Sequence, residues 1–308
     1  MRADRLDLLF LVVVAGLWGS AFIAIRAGLL AGASPFIFAE YRYALATAVV
    51  GVFCLATRQE RPPLRAWLSS SLLGGCFMMG GYAALLYWGE QYTGGGLASV
   101  FVSSVPLWTA LVAFRLLPSE RLGRWGWSAV GLGFVGVLVI FLPEVLAPGG
   151  GSIDGAIGAL AAAALAAVGS VLLRRTGVNP SGAWNLTGEL GVATLFLLPI
   201  ALLVPGGLAF PVTAVTIGTT IYLAVGASVL GYGLYFVLLQ RAGPQRSNMV
   251  TYLNPVVGVS IGFLALGEGV TVLEILGFGL ILLSIYLLRS ERRPAGPPVA
   301  ARGTVRPK

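Results

Sequence analysis

The sequence predicts an all-α integral membrane protein of ten transmembrane helices, arranged as two inverted five-helix repeats around a central cavity. Three observations predict it. The composition is too apolar for a soluble globule, apolar runs of bilayer length recur along the whole chain, and the second half repeats the first with its charges moved to the opposite face. Of 308 residues, 57% are hydrophobic and 10% charged, with a mean hydropathy of +0.89. A soluble chain carries about 25% charged residues, so too little polar surface exists here to cover a water-exposed fold.

Division at Pro, Gly and charge clusters gives helices near 7–29, 35–56, 66–89, 96–117, 125–142, 153–173, 182–204, 213–239, 247–266 and 270–288. The first has two arginines ahead of an apolar run and LAGAS behind it, the outline of a signal peptide. Its run from Leu8 to Ile25 exceeds the roughly 7–15 residues of a signal core, so it reads as an uncleaved span. The second holds Glu40 and Arg42 within FAEYRY. The third carries GGYAALLYW, the fourth SVFVSSVPLWTALVAF, and the fifth the small-residue string GLGFVG. The sixth ends in AAVGSVLLRR, the seventh carries Glu189, and the eighth LGYGLYFVL. The ninth contains NMVTYLNPVVGVSIGF and the tenth GFGLIL. Residues 290–308, rich in Pro and Arg, read as a disordered tail.

Orientation follows from the arginines. With the N-terminus in the cytoplasm, every basic residue except Arg26 and Arg42 falls on an inner segment, including Arg58, Arg61 and Arg65, Arg121 and Arg124, and Arg174 and Arg175. Positive-inside bias this complete supports ten spans with both termini cytoplasmic. The net charge of +8 therefore marks the inner membrane face, and no nucleic-acid partner is expected.

The two halves align. Pro106 falls on Pro255, Phe114 on Phe263, Tyr82 on Tyr232 and Glu120 on Glu268. Five spans per half force the second half to enter from the opposite side. The corner after the fourth span is basic (Arg115, Arg121, Arg124), whereas its counterpart carries Glu268 and Glu274. The expected division is a first repeat over 1–146, a second over 147–289, and the tail. Inverted repeats of this kind place a solute site near the bilayer midplane between the halves.

With LWGSAFIAIR at Leu17–Arg26, EYRYALA at Glu40–Ala46, the proline of SSVPLW, LPSERL after the fourth span, and LNPVVG followed by LGEGVT, the chain resembles the EamA-type members of the drug/metabolite transporter superfamily. That resemblance implies ten helices, a central cavity and passage of small metabolites, often outward, and it names no solute. It also suggests that the fifth and tenth helices form a packing or dimer surface. The second half departs from the pattern in lacking the WG of the first helix.

Ionisable groups inside spans are expensive and mark function or pairing. Glu40 and Arg42, two residues apart on a helix, cannot face one another. Arg26 and Glu40, near adjoining span ends, are expected to form a local ion pair or to reach the interface. Arg42 lies deeper, as a structural lock or as an anchor for an anionic solute. Glu189 either binds a solute amine, carries a coupling proton, or is a hydrogen-bonded link between helices. Tyr82 and Tyr232, mid-span beside glycine, are read as cavity-lining residues against an alternative of core packing. Asn254 and Ser104 flank Pro255 and Pro106, where helix kinks free backbone carbonyls. With Trp18 they complete the candidate substrate-binding set of Trp18, Arg42, Tyr82, Ser104, Glu189, Tyr232 and Asn254.

No histidine and no acidic or cysteine cluster is present to hold a metal or do acid–base chemistry, so neither cofactor nor enzymatic activity is expected. Cys54 and Cys76 read as unpaired apolar thiols. A channel would need a continuous polar lining. The favoured function is secondary transport of amino acids or related metabolites, outward, by alternating access, with multidrug or hydrophobic-compound export as the alternative and a channel or a non-transporting membrane scaffold ranked below it. The expected partners are a small solute and membrane lipid, with homodimerisation through the glycine-rich helices. The address is a bacterial inner membrane, since 19 of the 20 basic residues are arginine, a GC-rich signature.

Overall fold

The computed structural model describes residues 2–93, 95–118, 121–140, 142, 152–177, 182–257, 260–261 and 272–290. Every regular element among them is helical, as lipid requires of a chain that must satisfy its own backbone. The helices are α1 (Arg2–Leu30), α2 (Pro35–Ala56), α3 (Leu64–Glu90), α4 (Gly95–Leu116), α5 (Arg124–Ile140), α6 (Ile153–Thr176), α7 (Ala183–Leu203), α8 (Ala214–Ala242), α9 (Pro244–Asn248) and α10 (Val272–Ser290). Seven of these are long and apolar enough to span a bilayer, and shorter apolar stretches cover Arg124–Ile140 and Ile275–Leu288. Glu120, Glu268 and the tail beyond 290 lie outside the described residues.

Local chemistry sets the ends. Ser152 accepts from Gly155 N at 3.0 Å to open α6, and Thr213 with Thr216 forms a capping box on α8. Gly177 closes α6 at φ 68°, and Gly243, at φ 81°, turns the chain between α8 and α9. A side chain would strain both turns.

Four spans are not uniform α-helix; the sequence reading expected kinks at Pro106 and Pro255 but not the π-helical stretches. α3 passes through a π-helical stretch at Gly74–Gly81 and α8 through another at Leu223–Tyr232. α4 is interrupted at Ser103–Ser104 before Val105–Leu116, and α9 continues as a 3₁₀ turn over Met249–Leu253 before Pro255. Both pairs occupy matching places in the two halves. Pro106 and Pro255 each follow such a break.

Equivalent helices of the two halves meet and run antiparallel. Ile140 packs at Gly277, Ile281 at Gly136 and Ser284 at Gly133, so numbers that rise on α5 fall on α10. On α2 and α7, Thr47 faces Gly191 while Thr187 faces Gly51. The repeats are therefore inverted. α1 packs along α8, and α6 along α3, as a two-fold in the membrane plane requires. A hypothetical Cβ at Gly136 would sit 2.9 Å from the Gly277 carbonyl, so the glycines let these backbones approach within the chain. Gly131 and Gly279 meet nothing within 4 Å.

Candidate functional site

At the seam between the halves lies a cavity walled by α1, α2, α3, α4, α6, α8 and the broken ninth span. Its floor of Ala21, Phe22, Ile25, Met78, Leu86, Val102, Val105 and Ala166 is apolar. Its polar contributions come from Arg42, Tyr82, Tyr232, Tyr235, Asn248, Thr251 and Asn254.

Arg42 is the charged group on this wall and is 5% exposed. Its Nε donates to Ser228 Oγ at 2.8 Å and its Nη1 to Tyr87 OH at 3.1 Å, and its guanidinium carbon lies 5.0 Å from the centre of the Tyr43 ring. All three partners are neutral. Among the described residues no carboxylate forms an ion pair with it. The hydroxyls fix where the guanidinium points, and the ring supplies a cation–π contact worth about 0.5–2 kcal/mol. An isolated cation in the middle of a bilayer span costs a few to more than ten kcal/mol, so neutral partners leave room for an anion.

Trp18 builds the aromatic side. Its ring lies 5.2 Å from Tyr232, edge-on, and 5.1 Å from Tyr235. Trp18 Nε1 donates to the Ala227 carbonyl and Tyr232 OH to the Met78 carbonyl, both at 3.0 Å. Both acceptors belong to the π-helical stretches. A wider turn shifts the i→i+4 ladder and turns carbonyls outward for side chains to use, so these stretches hold the aromatic wall rigid.

A second network locks the broken spans. Tyr235 OH donates to Asn248 Oδ1 at 2.5 Å, and Asn248 Nδ2 donates to Thr109 Oγ1 at 2.7 Å and Ser170 Oγ at 2.9 Å. One amide thus ties α8, α9, α4 and α6. Ser103 Oγ reaches the Thr251 carbonyl at 2.9 Å, joining the two breaks directly. Asn254, 2% exposed, turns an Oδ1 with no partner among the described residues toward the cavity region.

Of the candidates read from sequence, Trp18, Arg42, Tyr82, Tyr232 and Asn254 come together on one cavity wall. Two do not. Ser104 turns its hydroxyl back to the Phe101 carbonyl at 2.6 Å and is absent from the lining, because the break aims it along its own helix. Glu189 lies between α7 and α3, where its Oε1 accepts from Ser70 and its Cδ would sit 2.7 Å from a Cβ at Gly74. It is an interhelical link outside the cavity. The expected Arg26–Glu40 pair is also absent. Arg26 Nη1 instead donates to the carbonyls of Glu90, at 2.6 Å, and Gln91, at 3.4 Å. A helix C-terminus presents unpaired carbonyls and a negative dipole end, and α3 outcompetes a side chain that α2 buries elsewhere.

Sequence reading missed Glu90. α3 continues through it, and its carboxylate is 0% exposed with neither oxygen hydrogen-bonded among the described residues. The ending of the apolar run at Trp88 placed it one residue past the span. Ser228, Tyr87 and Asn248 were missed because each matters through a partner far away in sequence.

The EamA-like transporter family matches the chain twice, over residues 6–142 and again over 153–290. This chain belongs to that family. Among curated relatives of the EamA-like chain, an uncharacterized transporter of Synechocystis sp. is 30% identical over 90% of this chain and 88% of that one. The uncharacterized inner membrane transporter YedA of Escherichia coli is 28% identical over 92% and 91%. Protein PecM of Dickeya dadantii is 28% identical over 82% and 86%. A solved crystal structure superposes with a TM-score of 0.71 at 20% identity, covering 92% of this chain and 96% of that one, a likeness of fold. The protein is a multi-pass membrane transporter with the two-repeat EamA architecture.

Proposed function

We propose that this EamA-like transporter moves small amphipathic carboxylates, amino acids foremost, across the bacterial inner membrane by alternating access of its two halves. Both termini lie in the cytoplasm, and net movement is outward when the solute accumulates. The observation that carries the reading is Arg42, a buried guanidinium held by Ser228 and Tyr87 at the cavity between the halves, with no ion pair among the described residues. The carboxylate binds there, and the apolar part of the solute lies against Trp18, Tyr82 and Tyr232. Tyr232 has its hydroxyl on the Met78 carbonyl, so it offers the solute its ring face. Asn254 Oδ1 is left to accept a hydrogen bond from the solute's amine.

Purified protein in liposomes, preloaded with each of the common amino acids, tests this by counterflow of the labelled solute. Saturable counterflow of amino acids, with a half-saturating concentration that Arg42→Gln raises at least about tenfold, is the expected result. Counterflow of uncharged aromatic compounds alone, unaffected by Arg42→Gln, would favour a hydrophobic-compound exporter, since most of the lining is apolar.

A further inference from the structure

Glu90 is unused by the binding geometry above, yet it is the most completely isolated carboxylate among the described residues of the bundle. It ends α3 one helical turn beyond Tyr87, whose hydroxyl holds Arg42. Its backbone carbonyl is gripped by Arg26, but neither guanidinium reaches its carboxylate oxygens. The charged groups that act on it are Arg26 from α1 and Arg42 from α2, with Tyr82 and Tyr87 on its own helix. From α6, the residues packed against the neighbouring Gly89 are Gly155, Gly158 and Ala159, which do not titrate, and Asp154 beside them is exposed. From the turn before α4, Thr93 adds a buried hydroxyl with no hydrogen-bond partner among the described residues.

A buried carboxylate without donors remains charged only while nearby cations compensate it. Arg26 is committed to the end of α3. Arg42 is shared, because the solute carboxylate takes up the same positive charge. From this geometry, and resting on the carboxylate reading above, we propose that Glu90 is a proton-binding site coupled to the solute through Arg42. When a carboxylate occupies Arg42, Glu90 loses the share of compensation that Arg42 supplies, only Arg26 remaining, and takes a proton from the aqueous phase, forming an O–H bond and becoming neutral. When the solute leaves, Arg42 again compensates Glu90 and the proton departs to water on that side. Solute anion and proton therefore travel together, and the cluster returns to its starting charge in each cycle.

The test uses the full chain in liposomes that contain a pH-sensitive dye, with L-phenylalanine as the solute because it combines a carboxylate with a ring. A phenylalanine gradient is expected to drive a proton signal in the same direction, and Glu90→Gln to reduce the ratio of proton to phenylalanine flux to near zero. An unchanged ratio in Glu90→Gln overturns the proposal while leaving the carboxylate reading intact. Failure of the wild-type protein to carry phenylalanine or any other amino acid overturns that reading and the proposal with it. Infrared difference spectra between acidic and alkaline buffer need no solute and keep the test decisive if the variant does not transport. A carboxyl band that vanishes in Glu90→Gln supports the assignment, and the same spectrum in both proteins overturns it.

Discussion

Replacing Arg42 separates recognition of a carboxylate from mere support of the cavity. Arg42→Gln removes the cation and its hydrogen bonds to Ser228 and Tyr87. A hydrogen bond to a charged group contributes about 1.5–3 kcal/mol net, and each 1.4 kcal/mol is a factor of about ten in affinity. A carboxylate solute should therefore bind about 10- to 150-fold more weakly. The assay compares L-phenylalanine with L-phenylalaninamide, which keeps the ring and the amine but has no carboxylate. Wild-type protein should prefer the acid, and Arg42→Gln should erase that preference while changing amide binding by less than about threefold. Arg42→Lys keeps the charge without the planar fork that spans Ser228 and Tyr87, and should fall between the two. Thermal unfolding in detergent controls for loss of structure, since the two stranded hydroxyls each carry a penalty of about 1–3 kcal/mol. Equal weakening of acid and amide would refute the reasoning, because it would mean that Arg42 only props the cavity open.

Other outcomes follow from the same geometry. Gly277→Val should destabilise the protein by about 1–3 kcal/mol, seen as a lower Tm, because even a Cβ there would lie 2.6 Å from the Gly136 carbonyl and 2.4 Å from the Ile140 side chain. Glu189→Gln should leave the pH dependence of transport unaltered, since its carboxyl sits against Ser70 away from the cavity, whereas Glu189→Leu should lower Tm by stranding Ser70. Asp7→Asn breaks the 2.6 Å pair with Arg241, which is partly exposed, so stability measured in detergent should change by less than about 1 kcal/mol. Single cysteines placed at Gln59 and Gln91 in a cysteine-free background should react with impermeant maleimide from the cytoplasmic and outer sides respectively. The opposite labelling would reverse the orientation drawn from the arginines.

The sequence made the spans legible because the forces that define them are local. Apolar length, Pro35 at a helix start and the Gly177 turn locate α2 and α6 without any knowledge of neighbours. The inverted repeat was legible too, since Pro106 and Pro255, and Tyr82 and Tyr232, mark matching places. The interiors of the spans were harder to read. Nothing in GGCFMMGG or LAVGASVLGY announces a π-helical turn, because hydrogen-bond register depends on the helices packed alongside. The partner of Arg26 was misread for the same reason. Sequence proximity favoured Glu40, but the carbonyls at the end of α3 are nearer in space. Glu90 shows how a boundary error of one residue hides a buried carboxylate.

The α5–α10 contact has a consequence for biosynthesis. The groove at Gly133 and Gly136 is filled by Gly277, Ile281 and Ser284 of α10, which leave the ribosome long after α5. Until the 19 residues of α10 are threaded into the bilayer, the groove lacks that filling. Insertion of α10 then fills it, so the α5–α10 contact forms only after α10 of the second repeat has been translated.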